Sequence, residues 1–229
     1  MINAQGLRRL LSRQAETLTR LEFPTLIGLT DEDFESQINL LGSLLVPDLE
    51  VSLIGNIPLC IAFRPGSVEL RKVMSSIEAK SAKGVIDMTP LTPQAFDVID
   101  DVCIPRGELY LLIDVDTGRN FLNVSPEEAL LAMRKSGRTP LTLEEGVALT
   151  AQCPQLLTDR AKYNCIQMPG SRKRGDQRVP SIWFSRGEPR LGWCWDRNIH
   201  TWLGSASAAF RVGDSSSGPT SKRSRAADF

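Results

Sequence analysis

The chain has a single histidine, two tyrosines and no net charge, with 27 basic residues balancing 27 acidic ones over 229 positions. Neutrality excludes a protein steered as a whole toward nucleic acid or an anionic membrane. Any imidazole chemistry must fall to His200. No apolar run approaches the ~18 residues of a membrane-spanning helix. The cysteines (Cys60, Cys103, Cys153, Cys165 and Cys194) form an odd set without a Cys-x-x-Cys pair. That is the wrong arithmetic for a secreted disulfide framework and points to free thiols in a reducing compartment. The opening residues, Met1 to Gln14, are polar and basic and lack the apolar stretch of a signal peptide, so a cytoplasmic location is expected. No internal repeat is visible.

What is present is unevenly placed. Hydrophobic residues at 41% and charged residues at 24% are globular values, which excludes disorder, collagen and coiled coil for the whole chain. Residues 1–170 carry 16 basic and 22 acidic side chains, whereas residues 171–211 carry 8 and 3. Neutrality therefore hides a basic C-terminal third. The four tryptophans (Trp183, Trp193, Trp195, Trp202) and His200 lie in that same third.

Helices are expected first. Leu7, Leu10, Leu11, Leu18 and Leu21 recur at helical spacing over residues 3–20, and Pro24 ends that run. Thr30 caps a second helix, with Asp31, Glu32 and Asp33 in its first turn. A third is expected over 67–77. Ser125-Pro126 and the capping box Thr142-x-x-Glu145 open two more, and a short helix is read over 155–162. Strands are read at 51–54, 58–63, 108–114, 121–124 and 163–168, then at 181–185, 190–195 and 200–209. Residues 1–211 are expected to form a single α+β domain. Its N-terminal helical layer (3–46) packs on a mixed sheet that ends in antiparallel C-terminal strands. Residues 212–229 read as a disordered polar tail.

One string of residues is distinctive: Gly170-Ser171-Arg172, Arg178-Val179-Pro180, Trp183, Leu191-Gly192-Trp193-Cys194-Trp195, Asn198 and His200-Thr201-Trp202-Leu203-Gly204-Ser205-Ala206-Ser207. With Arg64–Leu70, Asp114–Gly118, Gly137–Thr142 and the helix start at 29–34, it resembles an uncharacterised, mainly actinobacterial family defined only by a domain of unknown function. The resemblance spans residues 1–211 and implies no activity, so no residue takes a role from it.

Several motifs fail on their spacing. Gly170 to Gly175 has P-loop glycines but continues into Asp176-Gln177 and a strand, where phosphate chemistry needs Lys, Ser or Thr and a helix. A solvated basic loop, or a looser anion site using Arg172 and Arg178, remains. Asp114-x-Asp116-x-Gly118 lacks the later ligands of a calcium loop and reads as a turn. Cys153, Cys165, Cys194 and His200 lack the paired spacing of a zinc site. Neither a metal nor another cofactor is expected.

Two readings of the C-terminal third follow. In the first, Trp193, Trp195, Trp202 and Trp183, with Arg172 and Arg178, form a stacking surface that binds a small molecule or a partner protein. In the second, Cys194 is a thiolate nucleophile, His200 its base and Asp196 or Asn198 the orienting group of a hydrolase or acyl transferase. Nucleic-acid binding is weakest, since no recognition motif accompanies the basic stretch. Strand register separates the first two. An antiparallel hairpin of 190–195 with 200–209 around a four-residue loop would gather Trp193, Trp195, His200 and Trp202 on one face, with Cys194 on the other.

Overall fold

A computed structural model describes residues 1–158 and 165–214. The first helix, α1 (Ala4–Arg20), begins where the Asn3 side chain accepts a hydrogen bond from the Gly6 N–H at 3.0 Å. Its buried stripe of Leu7, Leu11 and Leu18 packs on the strand Ile57–Phe63. A single turn, α2 (Phe23–Leu26), leads to α3 (Asp31–Leu44), where Thr30 accepts from the Asp33 N–H at 3.1 Å. Then come α4 (Leu70–Ser76), α5 (Pro126–Lys135) and α6 (Leu143–Gln152). The last two open with the full reciprocal capping box, Ser125 with Glu128 and Thr142 with Glu145.

Strands gather into two main sheets. The first is antiparallel, in the order Phe210–Val212, Leu109–Val115, Ile57–Phe63. All seven residues of its middle strand are buried, the apolar Leu109–Ile113 and Val115 together with Asp114, which Arg138 neutralises. The second is mixed, in the order Leu203–Ser205, Cys165–Gln167, Arg178–Ser185, Glu188–Trp195, Val85–Ile86. Its two outer pairings are parallel and its inner ones antiparallel. The protein is α+β. α6 contacts both sheets and is buried nearly all round. It approaches the second sheet so closely that the Met168 sulfur lies 1.9 Å from where a Cβ on Gly146 would stand, which is why this position is glycine. One hydrophobic cluster joins Leu7 of α1 to Ile182 and Leu191 of the second sheet.

The expected hairpin of 190–195 with 200–209 does not form. Glu188–Trp195 pairs with Arg178–Ser185 through Arg186-Gly187, both at positive φ (51° and 87°), which is the type I′ turn that suits strand twist. That turn occupies the antiparallel edge first. Asp196–Trp202 then crosses the sheet, and Leu203–Ser205 pairs parallel with Cys165–Gln167 at the far edge. Three strand spacings are about 14 Å, within reach of seven residues that can extend about 23 Å.

Other expectations also change. Residues 119–121 form a 3₁₀ turn after Gly118 (φ 96°) in place of a strand over 121–124. The strand read at 51–54 is only Glu50–Val51, because the Asp114 carboxylate takes the N–H groups of Ile54 (3.0 Å) and Gly55 (2.7 Å). Pro154–Leu157 is a 3₁₀ turn. The end of the helix read over 155–162, the start of the strand at 163–168 and most of the tail lie outside the described residues.

Candidate functional site

The register of the Arg178–Ser185/Glu188–Trp195 hairpin assigns every side chain of the basic third to a face. Arg178 stands opposite Trp195, Pro180 opposite Trp193, and Val179 opposite Cys194. Alternation puts Arg178, Trp193 and Trp195 on one face and Cys194, Ser181 and Trp183 on the other. The Arg178 guanidinium lies over both indoles, 4.5 Å from the Trp193 ring centre and 4.9 Å from that of Trp195. The indoles meet edge to face at 5.2 Å. Trp193 is anchored by its N–H to the carbonyls of Met88 (3.1 Å) and Thr89 (3.3 Å). Trp195 is not buried: 41% of it is exposed.

The other two indoles stand apart. Trp183 donates to Ser185 at 2.9 Å and covers Gly192 on the opposite face. Trp202, 44% exposed, has His200 as its ring neighbour at 5.8 Å and touches neither Trp193 nor Trp195. The four-tryptophan surface is therefore corrected to two tryptophans and an arginine, because Trp202 left the hairpin and Trp183 falls on the wrong strand parity.

Cys194 sits in a polar seam. Its sulfur accepts from Gln167 Nε2 at 3.2 Å and from the Ser181 hydroxyl at 3.1 Å, and Ser205 donates in turn to Gln167 at 2.7 Å. No hydrogen bond joins it to His200. Burial pushes its pKa up despite the two hydrogen bonds and the nearby Arg172 cation, so the thiol is held protonated, opposite in sense to a thiolate nucleophile. Asp196 orients no histidine either. Its main chain is fixed by Gln177 and Glu127, and its carboxylate faces Arg172 at 4.0 Å.

That carboxylate lies in a groove of about 450 Å³ between α5 and the 172–176 loop, lined among others by Glu127, Arg134, Arg172, Lys173, Arg174 and Asp176. Three charged pairs on its walls are closed. Arg134 binds Asp101 at 2.6 Å, Asp176 binds Arg178 at 2.6 Å, and Glu127 binds Arg197 at 3.2 Å. Arg172 is different. Its side chain is 18% exposed, yet none of its donors makes a hydrogen bond among the described residues. Burial lowers its pKa, with Asp196 opposing the shift. Asp196 Oδ1 is likewise buried and unpartnered, as is Arg178 Nε. Arg134, Lys173 and Arg174 escape motif reasoning. Gly170–Gly175 reads as a solvated loop, and nothing local tells that the end of α5 will face it.

The aspartates of the Asp114–Gly118 segment are occupied. Asp114 binds Arg138 at 2.7 Å, and Asp116 accepts from the Gly118 N–H and the Asn120 amide, each at 2.8 Å. Among the described residues, no three His, Cys, Asp or Glu side chains converge as metal ligands.

The chain is thus an α+β protein whose C-terminal third presents an arginine–tryptophan stack beside a basic groove. It belongs to a family of unknown function (DUF5701), whose model matches residues 17–214. No curated protein and no solved structure matches it.

Proposed function

We propose that this protein is a binding module, and that a small molecule or partner segment docks on the Arg178–Trp195–Trp193 stack and the adjoining groove. The observation that carries this reading is an exposed indole held immobile. Trp195 is pinned by a guanidinium at 4.9 Å and a second indole at 5.2 Å, so a ligand meets a rigid aromatic edge at little cost in ordering. Tryptophan and arginine are also the residues that dominate binding hot spots. Residues 1–211 act here as one unit, in a bacterial cytoplasm that would keep all five free cysteines reduced.

A native mass spectrum of freshly purified protein tests the reading. Retained mass above the chain mass, released by Trp195→Ala, is the expected result. A bare chain whose tryptophan fluorescence no candidate ligand alters would sink it.

A further inference from the structure

The groove beside Arg172 has more unsatisfied charge than its own residues can neutralise. Taking a guanidinium out of water without hydrogen-bond partners is costly, and folded chains avoid it unless something else supplies the partners. Arg172 is 18% exposed and reaches only Asp196, at 4.0 Å, beyond hydrogen-bond range. Lys173 and Arg174, on the same loop, form no ion pair among the described residues. The remaining carboxylates of the groove, Glu127 and Asp176, are held by Arg197 and Arg178. Three cations therefore face one free carboxylate.

The opposite side of Arg172 borders a second groove of about 430 Å³, also reached by Arg174, but Asp97 and Asp100 line it. There two carboxylates offset the two arginines, so an anion is favoured instead beside Lys173.

We propose that the groove between α5 and the 172–176 loop binds a phosphate group that keeps one proton, either free or as the monoester of a small molecule. Arg172, Lys173 and Arg174 donate to its oxygens. Asp196 Oδ1, the buried acceptor without a partner, receives the phosphate hydroxyl. A sulfate is fully ionised and offers acceptors only, and would leave Asp196 facing an anion. This inference rests on the ligand-binding reading above and names its ligand class.

Calorimetric titration at pH 6, where a monoester holds its proton about half the time, tests it with inorganic phosphate, phenyl phosphate and sulfate. Both phosphates are expected to bind at least tenfold more tightly than sulfate. Arg172→Met should weaken phosphate at least tenfold, with some fall in Tm because Asp196 loses the cation it faces. Lys173→Gln, in the loop, should weaken it several-fold with no change in Tm. Asp196→Asn, which turns the acceptor into a donor, should bring sulfate up to the affinity of phosphate. Equal binding of sulfate and phosphate by the unaltered protein overturns the proposal, and so does failure of both phosphates to bind. Capture by phosphatidic acid vesicles alone would move the site to a membrane surface and overturn the small-molecule form. Phenyl phosphate no tighter than inorganic phosphate would leave the groove standing and count instead against the aromatic stack.

Discussion

Arg138 and Arg211 fasten the three-stranded sheet, whereas Arg172, on the short strand Ser171–Arg172, and Arg178, on the central strand of the mixed sheet, border the α5 groove and the indole stack. Arg211 is 5% exposed, and all its guanidinium nitrogens donate: to both Glu145 oxygens (2.6 and 2.8 Å), the Thr139 hydroxyl and the Pro140 carbonyl. Arg138 likewise spends its donors on Asp114 and Ser207. Arg172 donates to nothing among the described residues, and Arg178 leaves Nε unused. The same residue type thus plays two parts. Where every donor is matched, the charge fastens elements together; in Arg172 and Arg178 donors are left over.

The strongest way to break this contrast is Glu145→Ala. It strands Arg211 and takes the acceptor from the Tyr110 hydroxyl (2.7 Å) as well as the α6 capping box. A loss of about 3–5 kcal/mol is expected in urea unfolding. A loss below about 1 kcal/mol would mean that the matched arginines hold little together.

Next in size is Glu144, on the same turn of α6. Burial raises its carboxyl from 4.5 to about 7, with Glu145 adding to the shift. A raised folded pKa gives stability that is fully present below the unfolded value and lost as pH rises through the folded one. Stability should therefore decline between pH 4.5 and about 7. Glu144→Gln should flatten that decline and gain about 1–2 kcal/mol at pH 8, partial exposure screening the rest. An unchanged pH profile would refute this.

Arg178→Met sharpens the other side of the comparison. It removes the stack and the Asp176 pair, whose side chains are 19% and 15% exposed, and should cost about 1–2 kcal/mol while abolishing ligand retention. The smallest effect expected is none at all. Iodoacetamide near neutral pH should label exposed Cys103 first, and Cys194 no faster than the likewise half-buried Cys153. Rapid labelling of Cys194 would revive the thiolate chemistry.

Much of the helical scaffold was legible because helix signals are local. Thr30, Ser125 and Thr142 each act on an N–H three residues ahead, so the caps could be read directly. The second duty of Glu145, its pair with Arg211 sixty-six positions away, could not. The strand Leu109–Val115 was legible too, one residue off as 108–114, from the apolar run Leu109–Ile113. The basic, tryptophan-rich third stands out in composition, but its internal arrangement does not follow from composition. Arg186-Gly187 carried the hairpin signal, and it was passed over in favour of Asp196–Ile199.

Composition and short-range pattern by themselves determined the α+β class, the start of each capped helix and the region where charge and indole concentrate. Tertiary structure alone decided which indoles share a face, that Cys194 points away from Trp193 and Trp195, and that the end of α5 meets the 172–176 loop. The reason is physical. A cap or a buried run is settled within one turn or one strand, but strand partners are chosen by competition among distant segments, since closing a longer loop costs little more. Once the partner is chosen, a shift of one residue moves every side chain to the other face.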